Sequence, residues 1–146
     1  MDFGPIYIDH VGLATRDLDE GSRFWTLLGL KQGEADERVE DQGVVTRFFA
    51  TNQSQSDSHP PNIELLEPTG EDTPIGKFLD KRGPGIQQLC LSVSNLPGLL
   101  DYLKQHGIKL IDEEPRKGAG GHMFVFVHPR PTCGVLVELS QRSSRT

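Results

Sequence analysis

His10, Glu64, Gln88 and Glu138 are the residues of this chain whose types and spacing could do chemistry together. One imidazole, one amide carbonyl and two carboxylates suit a six-coordinate divalent cation that keeps two positions for water or substrate. The mixture fits cobalt, manganese, nickel, zinc or magnesium without singling one out. What groups the four is a repeat. Shifted by 78 positions, the stretch from Ile8 to Lys31 falls on Ile86 to Lys109. Asp17-Leu18 then meets Asn95-Leu96, Phe24 meets Tyr102, Gly29-Leu30-Lys31 meets Gly107-Ile108-Lys109, and His10 meets Gln88. At a shift of 74, Ile63-Glu64-Leu65 resembles Val137-Glu138-Leu139. A period this long points to a duplicated supersecondary module, not to an open solenoid.

Strands must present these side chains, and alternation along a strand assigns their face. Val11, Ile63 with Leu65, Leu89, and Val137 with Leu139 point to a helix-covered side, so His10, Glu64, Gln88 and Glu138 share the opposite one. Charged groups there are costly unless paired or bound to a metal. A lone histidine after Asp9, or one glutamate in an apolar strand, is by itself an ordinary structural residue. A metal-free network of glutamine, histidine and carboxylates is the competing account of the four.

Ile6 to Ala14 reads as a strand. Asp17, with Glu20 three residues later, opens a helix in the manner of a capping box. Leu18, Phe24, Trp25 and Leu28 line its apolar stripe, and Gly29 stops it. Strands follow at Val44 to Ala50 and Ile63 to Glu67, on either side of a polar loop from Thr51 to Pro61. Thr73-Pro74 caps a short helix to about Leu79. The second half repeats the order: a strand from Ile86 to Val93, then a helix opened by Asn95 and Pro97 and carrying Leu99, Leu100, Tyr102 and Leu103. Gly107 ends that helix. An extended stretch at Ile108 to Ile111, a glycine-rich turn at Lys117 to Gly121, and strands at Phe124 to Val127 and Val135 to Leu139 complete it. The expected fold is α+β: two βαβββ modules, about 6–68 and 84–140, in one domain over 1–146, sharing a mixed sheet curled into a half barrel. Gln141 to Thr146 reads as a frayed tail.

Composition sets outer bounds. With 146 residues, 35% hydrophobic and 25% charged, the chain has the make-up of one ordinary globular domain. A net charge of −6 argues against a general nucleic-acid or anionic-membrane binder. No segment approaches a membrane span, the start lacks a signal-peptide pattern, and Cys90 and Cys133 lack a CxxC spacing, so a cytoplasmic protein with free thiols is expected. The Lys117–Gly121 turn looks like an anion cradle, but a strand follows it where a phosphate loop would have a helix. His59, His106, His122 and His128 fall at loops or helix ends and read as surface residues. Cys133 has no neighbouring base that would make it a nucleophile.

The segments IDHVGLAT, EDQGVV, IELLEPTGEDTPIGKFLDKRGPGI, LCLSVSNL, EEPRKGAGG and FVFVHPRPTCGVLVEL cover most of the chain. In them the sequence resembles the methylmalonyl-CoA epimerases of the vicinal oxygen chelate superfamily, which also contains glyoxalase I. The resemblance implies paired βαβββ modules, a homodimer, an acyl-CoA thioester substrate, and a divalent metal held by His10, Glu64, Gln88 and Glu138. It implies epimerisation through a metal-stabilised enolate, with Glu138 the first candidate for the base. Two departures stand out. Gln87-Gln88 replaces the family's usual His-His pair, although glyoxalase I enzymes can use one Gln, one His and two Glu. Thr46 occupies the position that carries a catalytic glutamate in some epimerases, and a hydroxyl cannot act as a base near neutral pH. Asp41, or a water held by Thr46, is the expected second acid/base. Rival readings are a glyoxalase I-type lactoylglutathione lyase and a metal-free bleomycin-resistance-like binding protein. An extradiol dioxygenase is disfavoured, because its iron site needs two histidines and one carboxylate.

Overall fold

A computed structural model describes residues 2–51, 61–118 and 122–142. The chain divides into two compact units. One is His10–Gln87, here the N-module; the other, the C-module, joins the N-terminal residues up to Asp9 to the chain from Gln88 onward.

The N-module holds most of β1 (Tyr7–Ala14), then α1 (Leu18–Leu27), β2 (Lys31–Gln32), β3 (Glu37–Val39), β4 (Val44–Ala50), β5 (Asn62–Pro68) and α2 (Pro74–Arg82). β4 runs antiparallel to β2, β3 and β5, while β5 runs parallel to β1, with Gly12 opposite Glu64 and Phe48 opposite the same glutamate on the other side. The C-module repeats the plan with β6 (Gly85–Ser92), α3 (Leu96–Gln105), β7 (Arg116–Lys117), β8 (Met123–Val127) and β9 (Leu136–Gln141). β9 pairs parallel with β6 and antiparallel with β8, placing Cys90 and Phe126 on either side of Glu138. Each module is thus a mixed sheet with a helix crossover between its parallel strands.

The repeat survives in detail. β1 and β6, and α1 and α3, begin and end at positions 78 apart. Asp17 accepts from the Glu20 N–H at 2.9 Å, and Asn95 from the Gly98 N–H at 3.0 Å, so both helices start on a side-chain cap. Each also receives a second cap from the far end of its module. Glu67 Oε1 accepts from the Leu18 N–H at 2.8 Å, and Gln141 Oε1 accepts from the Leu96 N–H at 2.6 Å. Gln141 is therefore the last residue of a strand and a helix cap, not the start of a frayed tail. Gly29 (φ +85°) and Gly107 (φ +79°) take the left-handed conformation that ends each helix, which a Cβ would disfavour. Opposite Gln32–Phe49 in the N-module, the C-module has only the isolated bridge Leu110–Val127, at the same shift of 78.

Burial explains why these strands stay where they are. Under α1, Leu18, Phe49 and Leu65 are buried, with Leu13, Trp25, Val45 and Ile63 packed around them. Under α3, Val93, Leu96, Leu100, Val125, Val127, Val137 and Leu139 form one larger cluster. Each such side chain contributes roughly 1.5–3 kcal/mol when fully buried. The stripe expected on α1 needs correction. Phe24 and Leu28 are exposed, and the sheet-facing positions are Leu18, Ser22 and Trp25. Ser22 takes the inner position because its hydroxyl donates to the Leu18 carbonyl and accepts from Arg47 of β4. That pairing turns Phe24 outward.

α2 runs three residues beyond its expected end, to Arg82, and its N-cap is Thr73, whose Oγ1 accepts from the Gly76 N–H at 3.0 Å. It covers the other face of the N-module sheet, where Ile75 and Leu79 pack on Ala14, Val44 and Leu66. Gly76 permits that approach: a Cβ there would fall 2.4 Å from the Gly70 carbonyl oxygen.

Candidate active site

The four candidate ligands fall into two pairs, one in each module. On β1, His10 is 8% exposed and its Nε2 lies 3.0 Å from Oε1 of Glu64, itself 7% exposed, on β5. The Phe48 ring of β4 stands edge-on to the imidazole, centroids 5.8 Å apart. Ile63 and Leu65 join the cluster under α1, so alternation puts His10, Glu64 and Phe48 on the face away from that helix. In the C-module, Gln88 is buried on β6 and its Nε2 donates to Glu138 Oε1 on β9 at 3.3 Å. Val137 and Leu139 belong to the cluster under α3, so Gln88 and Glu138 again occupy the opposite face.

The surroundings of the two glutamates are repeated as well. Phe48 flanks Glu64, and Phe126, 78 positions later, flanks Glu138. On the inner side the neighbours are Gly12 and Cys90, again 78 apart, so the N-module glutamate has no side chain at the place where the C-module glutamate has a buried thiol. Within each pair the carboxylate lies against a nitrogen: the His10 imidazole in one, the Gln88 amide N–H in the other. A cation added to such a pair is the classical remedy for the cost of burying carboxylates. One pair offers an imidazole nitrogen with a carboxylate and the other an amide oxygen with a carboxylate, donor types chemically suited to a divalent first-row ion or magnesium. Gln88 can offer its carbonyl oxygen to an ion while its nitrogen donates to Glu138.

Thr46, Asp41 and their neighbours complete the picture. Thr46 is buried on β4, and its hydroxyl donates to the Glu37 carbonyl at 3.4 Å. It lies one strand across and two residues along from Glu64, a diagonal of roughly 8 Å between backbones. Asp41 sits exposed in the 3-10 turn Glu40–Gln42 that leads into β4, at the far end of the β3–β4 ladder from Thr46. The carboxylate that the ladder sets directly across from Thr46, on the same face, is Glu37. Its place could have been read only by pairing β3 with β4, which the sequence, nine residues apart, does not announce.

A displaced pair of ionisable groups lies on the helix side of the N-module sheet. Arg47, facing α1, donates to both carboxylate oxygens of Asp36 at 2.8 Å, to Asp19 at 3.1 Å, to Ser22 Oγ at 2.9 Å and to the Leu18 carbonyl at 3.3 Å. The hydrogen bonds from Arg47 hold the Asp36 carboxyl below its usual range, and Asp36 in turn raises the guanidinium. Perturbed groups often mark active sites; this one is a structural latch between sheet and helix. Of the other histidines, His106 is exposed with Nδ1 2.9 Å from the Tyr102 carbonyl, and His128 Nδ1 accepts from the Arg130 N–H at 3.2 Å. His59 and the 119–121 part of the glycine-rich turn lie outside the described residues.

Comparison with known proteins gives this geometry a lineage. The glyoxalase/bleomycin resistance protein/dioxygenase superfamily model matches residues 9–126. The mitochondrial methylmalonyl-CoA epimerase of Homo sapiens is 34% identical across 92% of this chain and 73% of its own length. The crystal structure of methylmalonyl-CoA epimerase from Mycobacterium tuberculosis superposes with a TM-score of 0.83 at 37% identity, covering 94% of this chain and 89% of that one. A Streptomyces coelicolor methylmalonyl-CoA epimerase in complex with 2-nitronate-propionyl-CoA gives a TM-score of 0.83 at 31% identity, over 94% of this chain and 98% of that one. The chain belongs to the glyoxalase/bleomycin resistance protein/dioxygenase superfamily and, within it, to the methylmalonyl-CoA epimerase family of isomerases.

Proposed function

We infer that this protein epimerises methylmalonyl-CoA or a similar acyl-CoA thioester, and that His10, Glu64, Gln88 and Glu138 serve a single divalent ion. The observation that carries the reading is the duplicated pair: a carboxylate tied to His10 in one module and to Gln88 in the other, each on the face its helix leaves open. Support for the substrate comes from relatives named as methylmalonyl-CoA epimerases, one of them in complex with an acyl-CoA analogue. When bound, the ion would supply Lewis-acid stabilisation of charge on the thioester and carboxylate oxygens.

The chain's own residues do the rest. Glu138 takes the proton from the carbon between the two carbonyl groups. The Gln88 N–H on Oε1 fixes the carboxylate's orientation, and Phe126 stands across the ladder from it. Glu64 fixes the direction of the His10 ring, with Phe48 in the equivalent position. Inversion requires a proton delivered to the opposite face of the planar carbon. Among the carboxylates near Thr46, Glu37 stands directly across the ladder, whereas Asp41 lies at the turn; Glu37, working through a water on the Thr46 hydroxyl, is therefore the preferred second acid/base. A homodimer in the cytoplasm is the assembly and location we assign. No helix of the described residues is long and apolar enough to cross a membrane.

The test is to measure metal content, then follow methylmalonyl-CoA in heavy water for both deuterium uptake at the α-carbon and interconversion of epimers. Stoichiometric metal with both reactions is the expected result. A protein that carries no metal after purification and reconstitution, or that leaves the α-proton untouched, sinks the reading.

A further inference from the structure

The two modules carry matching edge strands of different charge: β3 balances Glu37 against Arg38, whereas β7 is Arg116 and Lys117. β3 pairs with β4 so that Glu37 faces Thr46; β7 pairs with β8 so that Arg116 faces Phe124, and Thr46 and Phe124 are 78 positions apart. Around β3, the segment from Glu34 to Asp41 holds Glu34, Asp36, Glu37, Glu40 and Asp41 against the single Arg38. The equivalent segment around β7, Asp112 to Ala119, sets Arg116 and Lys117 against Asp112, Glu113 and Glu114, and from Pro115 to Val137 no acidic residue follows while Arg130 adds a further base. In a chain of net charge −6, the acid-free stretch that begins at β7 is the more favourable side for an anionic group.

The Arg116 side chain is placed on the Glu138 face. Its guanidinium carbon lies 5.3 Å from the centre of the Phe124 ring, and Phe124 meets Phe126 edge-on at 5.9 Å. Phe126 stands opposite Glu138, while the intervening Val125 joins the cluster on the helix side. Gly118 lets the chain cross the same ring, since a Cβ there would touch Phe124 at 3.2 Å. Stacking on a ring holds a guanidinium in position, and its planar fork can add a phosphate to the partners that it already has. One terminal nitrogen lies 3.8 Å from Asp112, whose other oxygen accepts from the Phe126 N–H. Five N–H donors allow a phosphate to be held beside that long contact.

Coverage of the two faces agrees with charge. In the N-module, α2 seals the end of the face beside Thr46 with Ile75 and Leu79. At the equivalent C-module positions stand Ser92 on β6 and Ser140 on β9, two small polar residues. Strand geometry separates the backbones of Arg116 and Glu138 by about 12 Å. That is too far for the acyl carboxylate, one bond from the carbon that loses its proton, and suits a group further along the thioester's arm.

Resting on the acyl-CoA reading above, we propose that Arg116 is a specificity-determining residue that binds a phosphate of the CoA moiety, drawing the arm of the thioester across the Phe126–Phe124 side of the C-module. Arg116→Gln should raise KM for methylmalonyl-CoA at least tenfold, and leave kcat and KM for the phosphate-free methylmalonyl-pantetheine within twofold. Arg116→Lys should recover part of the loss, as a point charge lacking the bidentate fork. Equal damage to both thioesters, or to neither, overturns the proposal. Calorimetry with CoA alone separates this test from turnover. Tenfold weaker binding to the Gln variant supports the site even if no epimerisation is ever seen, whereas equal affinity, or no CoA binding by the unaltered protein, removes it.

Discussion

In the C-module, Leu100 of α3 and Val125 of β8 lie buried in one apolar cluster between helix and sheet. At the same places in the N-module, 78 residues earlier, stand Ser22 and Arg47. The equivalent seam is there closed by hydrogen bonds and ion pairs to Leu18, Asp19, Ser22 and Asp36. The N-module can use this solution because its hydrophobic burial is divided: one cluster lies under α1 and another under α2, on the opposite face. The C-module has one helix-covered face and concentrates its burial there. A duplicated backbone thus tolerates two chemistries at one seam, provided each polar group finds its partner. Apolar packing of similar shape would be at least as stabilising as the buried charge, so the latch cannot be explained by stability alone.

The largest effect should come from separating the two glutamates that the duplication makes equivalent. Glu138→Gln removes the proposed base, and α-proton exchange in heavy water should fall by about 10²–10⁴-fold with the fold retained. Glu64→Gln keeps the base and loses a ligand, so its lost activity should return in part at excess metal. Identical behaviour of the two variants would erase the proposed division of labour. Glu37→Gln sharpens it further: epimer interconversion should drop while one epimer still exchanges its proton, whereas Asp41→Asn should leave both rates near those of the parent protein.

The seam itself can be tested by transplantation. Arg47→Val strands Ser22 and leaves Asp36, which is exposed, without its partner, and should cost about 1–2 kcal/mol in urea unfolding. Adding Ser22→Leu, which copies the C-module pairing, should recover about 1 kcal/mol. No recovery would mean that the two interfaces are not interchangeable.

Acid should weaken one module's seam and not the other's. Asp36 titrates below its ordinary value of 3.8 in the folded protein because Arg47 donates to it. Its stabilisation is therefore fully present above 3.8 and is lost as the pH falls through the lowered folded value. Asp36→Asn should flatten the stability profile in that acid range; an unchanged profile would contradict the latch. The smallest effects belong to the distal caps. Glu67→Ala and Gln141→Ala should each cost about 1 kcal/mol.

Much of this was legible in the sequence, and the reasons differ by level. The repeat register, both helix starts and the glycine stops depend on local chemistry at Asp17, Asn95, Gly29 and Gly107, which a sequence displays directly. Strand alternation likewise put Glu64 and Glu138 on the face away from Leu65 and Leu139. The inner stripe of α1 was not legible. Phe24 is more apolar than Ser22, and only the reach of Arg47 from β4, 25 residues away from Ser22, explains why the serine faces inward. Glu37 was hidden for the same reason: its relation to Thr46 exists only once a three-residue strand has chosen its register. Gln141 looked like tail because its partner, the Leu96 N–H, lies 45 positions back.

Those reciprocal end-to-start hydrogen bonds bear on the order of events during synthesis on a ribosome. The first turn of α1 awaits a carboxylate 49 residues downstream, and that of α3 an amide 45 residues downstream. Until the closing strand of its own half has emerged, each helix has only its local cap, Asp17 or Asn95. A nascent chain halted short of Glu67 therefore leaves α1 without its distal partner, and vectorial folding should advance in two discrete steps, one for each latch.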